Sequence, residues 1–291
     1  DFILWFKKRK YVMKRKINFL DLGNQPLANY YLKKEQIKNK EKKYRLVVCF
    51  DTATKMVSIK KTFSSRMMFN KKYPYRSSMS RTMQKSFKYL SDNIKRKFKP
   101  KKILEIGSND GSFLKNFNKD MSIGIEPCSN VEKITKKMKF NTIADYWGID
   151  LAKKILKKFD KVDLIYSANT ISHIKNLNNV FRSINIVLSN DGVLIIEDPS
   201  LLECLKRNTY DQFYNEHIYI FSYLALENIL KKYNLEIFRI ENLDIHGGSN
   251  RYFIKKMISN RKIENSVKNQ KKKETKFGLN KKKTFIEFSK R

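Results

Sequence analysis

The 291-residue sequence predicts an α/β chain: a Rossmann-like, mostly parallel sheet closed by an antiparallel hairpin, with a small N-terminal accessory domain ahead of it. Three observations carry this. Residues 104–111 read Leu-Glu-Ile-Gly-Ser-Asn-Asp-Gly, an apolar strand that runs straight into a glycine turn. The next apolar stretch ends at Gly124-Ile125-Glu126-Pro127, so a carboxylate stands at the tip of a second strand. Between Lys101 and Ile254 short apolar runs alternate with helical patterns, which implies parallel strands covered on both faces.

Taken in order, residues 1–92 are irregular, with a turn at Leu22-Gly23-Asn24-Gln25-Pro26, an apolar strand from Tyr44 to Phe50, and an aromatic, serine-rich loop from Tyr73 to Ser80. This is the accessory domain. Residues 93–256 then predict strand 103–106, helix 112–117, strand 122–126, helix 131–138, strand 142–144 and helix 151–159. The alternation continues with strand 162–168, helix 178–188, strand 192–197, helix 223–233 and strand 235–240. Gly247-Gly248 separates that strand from 251–254, and two glycines between strands mark a hairpin. Residues 257–291 are lysine-rich without an apolar period, and read as a solvated linker or the start of a truncated C-terminal domain.

Composition excludes several classes. Hydrophobic residues make up 41% and aromatics 13%, so the chain is globular despite its charge. Phe2-Ile3-Leu4-Trp5-Phe6 is too short for a signal core, and no run approaches the ~20 apolar residues of a membrane span, so a cytoplasmic protein without a membrane partner is expected. The net charge of +35 would ordinarily point to nucleic acid. Here lysine is scattered through nearly every segment and arginine is a minority, so nucleic acid is not the expected partner; a positive field equally attracts a small diphosphate. Cys49, Cys128 and Cys204 form no Cys-x-x-Cys pair, so neither a zinc cage nor a disulfide framework is readable and no metal is expected.

The glycine turn names a cofactor. Its pattern is Glu-x-Gly-x-x-x-Gly, where a dinucleotide site has Gly-x-Gly-x-x-Gly and a phosphate loop ends in Gly-Lys-Ser/Thr, so S-adenosylmethionine is favoured over NAD or ATP. Gly107 lets the chain turn out of the strand, and Gly111 is expected to admit backbone close to the ligand. Glu126 suits both ribose hydroxyls, while Glu105, Asn109 and Asp110 put polar and negative groups beside a ligand carrying a sulfonium and an ammonium. Asp145 and Tyr146, with Trp147, follow the next strand and suit the edge and face of a purine. Asn169, after the fourth strand, is placed for the methionine end or the substrate. A closing hairpin at the sheet edge is what distinguishes a class I methyltransferase sheet from a dehydrogenase.

Five separated motifs then carry a more specific resemblance: residues 20–29 (Leu-Asp-Leu-Gly-Asn-Gln-Pro-Leu-Ala-Asn), 73–78 (Tyr-Pro-Tyr-Arg-Ser-Ser), 105–111, 214–217 (Tyr-Asn-Glu-His) and 246–249 (His-Gly-Gly-Ser). In this order, over about residues 17–256, the chain resembles the nucleotide-sugar C-methyltransferases, which make 3-C-methyl branched deoxysugars from keto sugars. The resemblance implies a nucleotide-sugar substrate and a sugar pocket lined by residues 214–217, with Tyr75 and Ser78 closing it from the accessory domain. Two departures stand out. The family's N-terminal zinc is held by two Cys-x-x-Cys pairs, but Asp51 and Thr54 stand at the second pair and the basic stretch before Asn18 has no cysteine. The chain begins at Asp1 and stops where the family's C-terminal domain begins, which leaves a fragment or an inactive chain as an alternative.

Methylating a sugar carbon requires removal of a proton next to a ketone. His217 is the first candidate base, because imidazole titrates near neutral pH. Glu216 can orient it or act as base itself, and Tyr214 can donate to the enolate oxygen. In an extended segment Tyr214 and Glu216 would share one face and His217 the other, so the three converge only if the backbone turns. His173 lies at the carboxyl end of the sheet, where such folds bind ligands, and His246 sits before two glycines on the substrate side or merely in the hairpin turn. An O- or N-methyltransferase, or a nucleic-acid-binding protein with this fold, are the other readings. Asp198-Pro199-Ser200 only weakly matches an amino-methylating motif, since it follows the fifth strand instead of the fourth.

Overall fold

The computed structural model describes residues 15–291; the apolar opening Phe2 to Phe6 lies outside them. The chain starts with β1 (Lys16–Gln25), β2 (Tyr44–Asp51), β3 (Val57–Ile59), the one-turn α1 (Ser65–Met68) and the long α2 (Arg81–Lys97). Then follow β4 (Ile103–Ile106), β5 (Ser122–Ile125), α3 (Ser129–Lys137), β6 (Asn141–Ile143), α4 (Ile149–Phe159), β7 (Val162–Ala168), α5 (Leu177–Val187) and β8 (Leu188–Pro199). The remainder is α6 (Leu201–Arg207), β9 (Tyr219–Ile220), α7 (Tyr223–Leu230), β10 (Leu235–Leu243), β11 (Ser249–Lys256), α8 (Asn265–Phe277) and α9 (Lys282–Phe288).

The main sheet has seven strands in the order β10-β11-β8-β7-β4-β5-β6. Pairings from β6 through β8 are parallel, and β11 runs antiparallel to both of its neighbours, so the expected closing hairpin is present. The parallel strands are buried on both faces: Ile103, Leu104, Ile106, Leu164, Ile165, Leu194 and Ile196 are essentially inaccessible. Chain order reverses between β4 and β7, and at such a switch point the carboxyl ends of the strands splay to leave a crevice.

The first crossover differs from expectation. Residues 112–117 form no α-helix, only a 3₁₀ turn at Leu114–Asn116. The face such a helix would cover is occupied by α2, whose Phe87, Leu90 and Ile94 pack with Phe113, Tyr166, Leu164 and Phe253. One helix therefore spans residue 92, the expected end of the accessory domain, and its apolar stripe serves the main sheet.

The accessory sheet, ordered β1-β2-β3-β9, takes its last strand from far along the chain, where Val57 and Ser58 pair with Ile220 and Tyr219. At the end of β2, Asp51 accepts from the backbone N–H groups of Ala53 and Thr54 at 2.9 Å each and pairs with the Arg15 guanidinium at 3.1 Å. A carboxylate thus closes the turn where relatives were expected to carry a cysteine knuckle.

The lysine-rich stretch 257–291 departs most from expectation. It folds as α8 and α9, and Val267, Leu279, Phe285 and Phe288 are buried. Phe285 stacks on Phe50 with centroids 4.0 Å apart and lies 5.1 Å from Phe19, joining this end to the accessory sheet. Glu274 accepts from the N–H groups of Tyr223 and Leu224 at 2.9 and 3.1 Å, an anion at the start of α7 where it complements the helix dipole. Phe285→Ala should cost about 3–5 kcal/mol of unfolding free energy in a urea titration, because deleting a buried ring leaves a cavity against the accessory sheet.

Candidate functional site

A cavity of about 720 Å³ opens at the carboxyl ends of β4, β5 and β7. Two groups of residues line it. On the sheet side stand Glu105, Gly107, Asn109, Glu126, Tyr146, Trp147 and Asn169; facing them are Tyr75, His173, Tyr214, Glu216, His217 and His246. Motifs separated by more than 100 positions in the sequence meet in one space.

The sheet side follows from two short loops. Gly107 takes φ +75°, in the left-handed region, and a Cβ there would collide with the Thr170 side chain. Glu126 accepts from the N–H of Asn109 at 3.0 Å and of Cys128 at 2.8 Å, which ties the tip of β5 to the glycine turn. Burial raises its carboxyl, against the lowering by those two N–H groups. Glu105 is fully enclosed, and its Oε2 has no partner among the described residues. Burial, and then Asp110 and Glu126, hold it well above the usual carboxylate range. An orphaned acid facing a cavity beside a glycine cradle fits a ligand that brings an ammonium and a ribose, so these residues match S-adenosylmethionine.

Four expected residues do something else. Asp110 lies outside the cavity lining: its Oδ2 accepts from the Ser78 N–H at 3.0 Å and its Oδ1 from the Ser112 hydroxyl at 2.6 Å. Together with the Ser77 N–H donating to Asn109 Oδ1 at 2.9 Å, this docks the loop bearing Tyr75 onto the glycine turn. Ser78 contributes its backbone there, while Ser77 is the serine that lines the cavity. Gly111 is required for packing, since a Cβ would come within 2.9 Å of Thr135 on α3. Asp145 also lies outside the lining and accepts from the Tyr146 N–H at 2.8 Å, while the Tyr146 hydroxyl donates to the Phe69 carbonyl at 2.7 Å.

The facing wall is made by a turn. The His217 N–H donates to the Tyr214 carbonyl at 3.1 Å, the bend that the sequence required for the three side chains to converge. His217 Nδ1 lies 2.8 Å from the Gln212 carbonyl, and a carbonyl only accepts, so Nδ1 carries the proton and Nε2 the lone pair. The Tyr214 hydroxyl, 3.1 Å from Nε2, is then its donor. Glu216 does not orient the imidazole as expected; its carboxylate is held by Asn29 at 3.1 Å. Burial pushes Glu216 up to about 7 and His217 down to about 4.

His173 stacks on Phe69, with centroids 5.5 Å apart, and lies 5.1 Å from the His217 ring. Burial, then its neighbour His217, holds it well below the usual histidine range. His246 has φ +51° at the start of the hairpin turn and still reaches the cavity. Sequence reasoning missed Asn29, Phe69, Thr170 and Gln212 as lining residues; Asn29 lay in a quoted motif but carried no signal of its destination.

Comparison with known proteins gives the family. A family model described as a methyltransferase domain matches residues 75–240, more than half of the chain. The chain belongs to the methyltransferase domain family. A model described as a zinc binding domain matches residues 13–69, yet that segment contains one cysteine, Cys49, so its residues do not fit a thiolate cage. A curated relative, the C-methyltransferase NovU from Streptomyces niveus, is 27% identical over 149 residues, covering 50% of this chain and 36% of that protein. The chain thus spans about a third of that relative's length. Among solved structures, an S-adenosylmethionine-dependent methyltransferase from Thermotoga maritima aligns with TM-score 0.43 and 18% identity, covering 58% of this chain and 90% of that one. A protein from Pyrococcus horikoshii aligns with TM-score 0.48 and 16% identity, covering 62% and 94%.

Truncating Glu126 to Ala should weaken binding of S-adenosylhomocysteine by roughly 10- to 100-fold in calorimetry, the usual worth of a hydrogen bond to a charged group. Unchanged affinity would remove Glu126 from the ribose site.

Proposed function

We propose that this protein is an S-adenosylmethionine-dependent C-methyltransferase, acting on the carbon next to a ketone in a nucleotide-linked deoxysugar. The observation that carries the reading is the turn Tyr214–His217, which brings a phenol, a carboxylate and an imidazole into the cavity that also holds the glycine turn. Methylation of oxygen or nitrogen needs no proton taken from carbon; a site with a buried neutral imidazole, a near-neutral carboxylate and a phenol is suited to taking one. The named activity of NovU supports the same class. The motifs shared with nucleotide-sugar C-methyltransferases support the sugar substrate.

S-adenosylmethionine, when bound, supplies an electrophilic methyl group on a sulfonium. The chain does the rest. His217 Nε2 accepts the proton from the α-carbon, while its Nδ1–H stays on the Gln212 carbonyl and keeps the ring in one tautomer. The Tyr214 hydroxyl passes from Nε2 to the ketone oxygen and donates to it as enolate charge develops. Burial holds the phenol above its ordinary range, so it remains a donor. Tyr75 and Phe69 line the cavity from the accessory side.

A second reading makes Glu216 the base, favoured by its carboxyl lying at about 7, nearer the working pH than His217 at about 4. The pH profile separates them. With His217 as base, exchange of the α-proton into D2O rises through about pH 4 and is flat near neutrality; with Glu216 as base it rises through about pH 7. On a dTDP-linked keto sugar, His217→Ala should keep S-adenosylhomocysteine binding and lose α-proton exchange by about 100-fold or more. Exchange at the wild-type rate would remove His217 from the mechanism, and no exchange in the wild-type protein would overturn carbon methylation.

A further inference from the structure

The loop that leaves β1 reaches the catalytic turn, although 187 positions separate Asn29 from Glu216. Two amides make the contact. The Asn215 side chain donates to the Pro26 carbonyl at 2.9 Å, which fixes the loop backbone against the turn. The Asn29 amide nitrogen lies 3.1 Å from Oε1 and 3.1 Å from Oε2 of Glu216, a single donor shared by both carboxylate oxygens. Asn29 takes φ +58°, a conformation that asparagine tolerates better than most residues with a Cβ. Backbone and side chain therefore ask for the same residue.

Glu216 is 2% exposed, and among the described residues no lysine or arginine pairs with it, in a chain of net charge +35. The titratable groups that face it are neutral at pH 7: Tyr214 from its own turn, Tyr73 from the loop of the accessory domain, and Cys128 from the segment after β5. The Asn29 amide is the neutral hydrogen-bond donor to its anion. A cation at that place would pull the acid far down and leave a carboxylate too weak to accept a proton; an apolar residue would leave burial unopposed and keep it protonated. A neutral amide stands between these limits.

We propose that Asn29 is a positioning residue of the transfer site, fixing the Glu216 carboxylate at the cavity wall through a donor that carries no charge of its own. The loop after β1 thereby supplies a partner to the catalytic turn. This rests on the reading above that Glu216 faces the substrate.

The test needs no sugar. In the full chain labelled with ¹³C at the glutamate carboxyls, the Glu216 resonance is assigned by its loss in Glu216→Gln and then titrated in the wild type, in Asn29→Gly and in Asn29→Asp. Glycine keeps the left-handed backbone and deletes the amide; aspartate keeps the shape and replaces a donor by an acceptor. The Glu216 midpoint should rise by about one to two pH units in Asn29→Gly, the worth of a hydrogen bond to a charged group, and at least as far in Asn29→Asp. A midpoint that stays within a few tenths of a unit in whichever variant melts cooperatively would overturn the proposal. Proton exchange on a dTDP-linked keto sugar by the wild type is read separately, so a wrong substrate class leaves the titration result standing.

Discussion

The site depends on one constraint: the segment from Tyr214 to Phe221 is fastened to both sheets at once. Its outer end is β9, paired with β3 of the accessory sheet, and its last residue bridges Ser200 at the end of β8. Just ahead of those fastenings lies a turn with three buried polar side chains, Asn215, Glu216 and His217. Burying such groups costs several kcal/mol each unless every one finds a partner. The partners are the Gln212 carbonyl, the Tyr214 hydroxyl, the Asn29 amide and the Pro26 carbonyl. A partner lost from this set leaves a desolvated group, so the turn has one arrangement and not several.

Electrostatics inside the cavity run opposite to those of the surface. The chain carries a net charge of +35, but its three histidines are all held below their ordinary values by burial, and Glu105, Glu126 and Glu216 above theirs. Desolvation is the first cause in each case. The interior therefore favours neutral forms, suited to moving one proton between groups close in strength. A cation bound beside Glu105 and Glu126 would draw both acids back toward their charged forms.

Local signals were legible in the sequence and remote ones were not. The turn at Gly107, the strand ending at Glu126 and the closing hairpin each follow from a few neighbouring residues, and the structure has all three. Residues 257–291 hid their role because the buried face of α8 is Val267, Gln270 and Glu274, with polar residues where a period of apolar ones would be sought. The missing helix after Gly111 was equally hidden, because α2, from a distant part of the chain, covers that face. Asp110 looked like a ligand contact from its place in the motif; only the fold shows that Ser78 and Ser112 take its oxygens. Asn29 has its partner 187 positions away, beyond the reach of any spacing rule.

The central claim is that the glycine turn, the tip of β5 and the Tyr214–His217 turn surround one ligand space. Amide hydrogen exchange, read by mass spectrometry with and without S-adenosylhomocysteine, measures this directly. The account predicts slowed exchange in residues 105–111 and 124–128, with smaller slowing in 214–217 through the shared cavity. Slowing confined to the lysine-rich helices or the accessory sheet, with 105–111 unaffected, would contradict it.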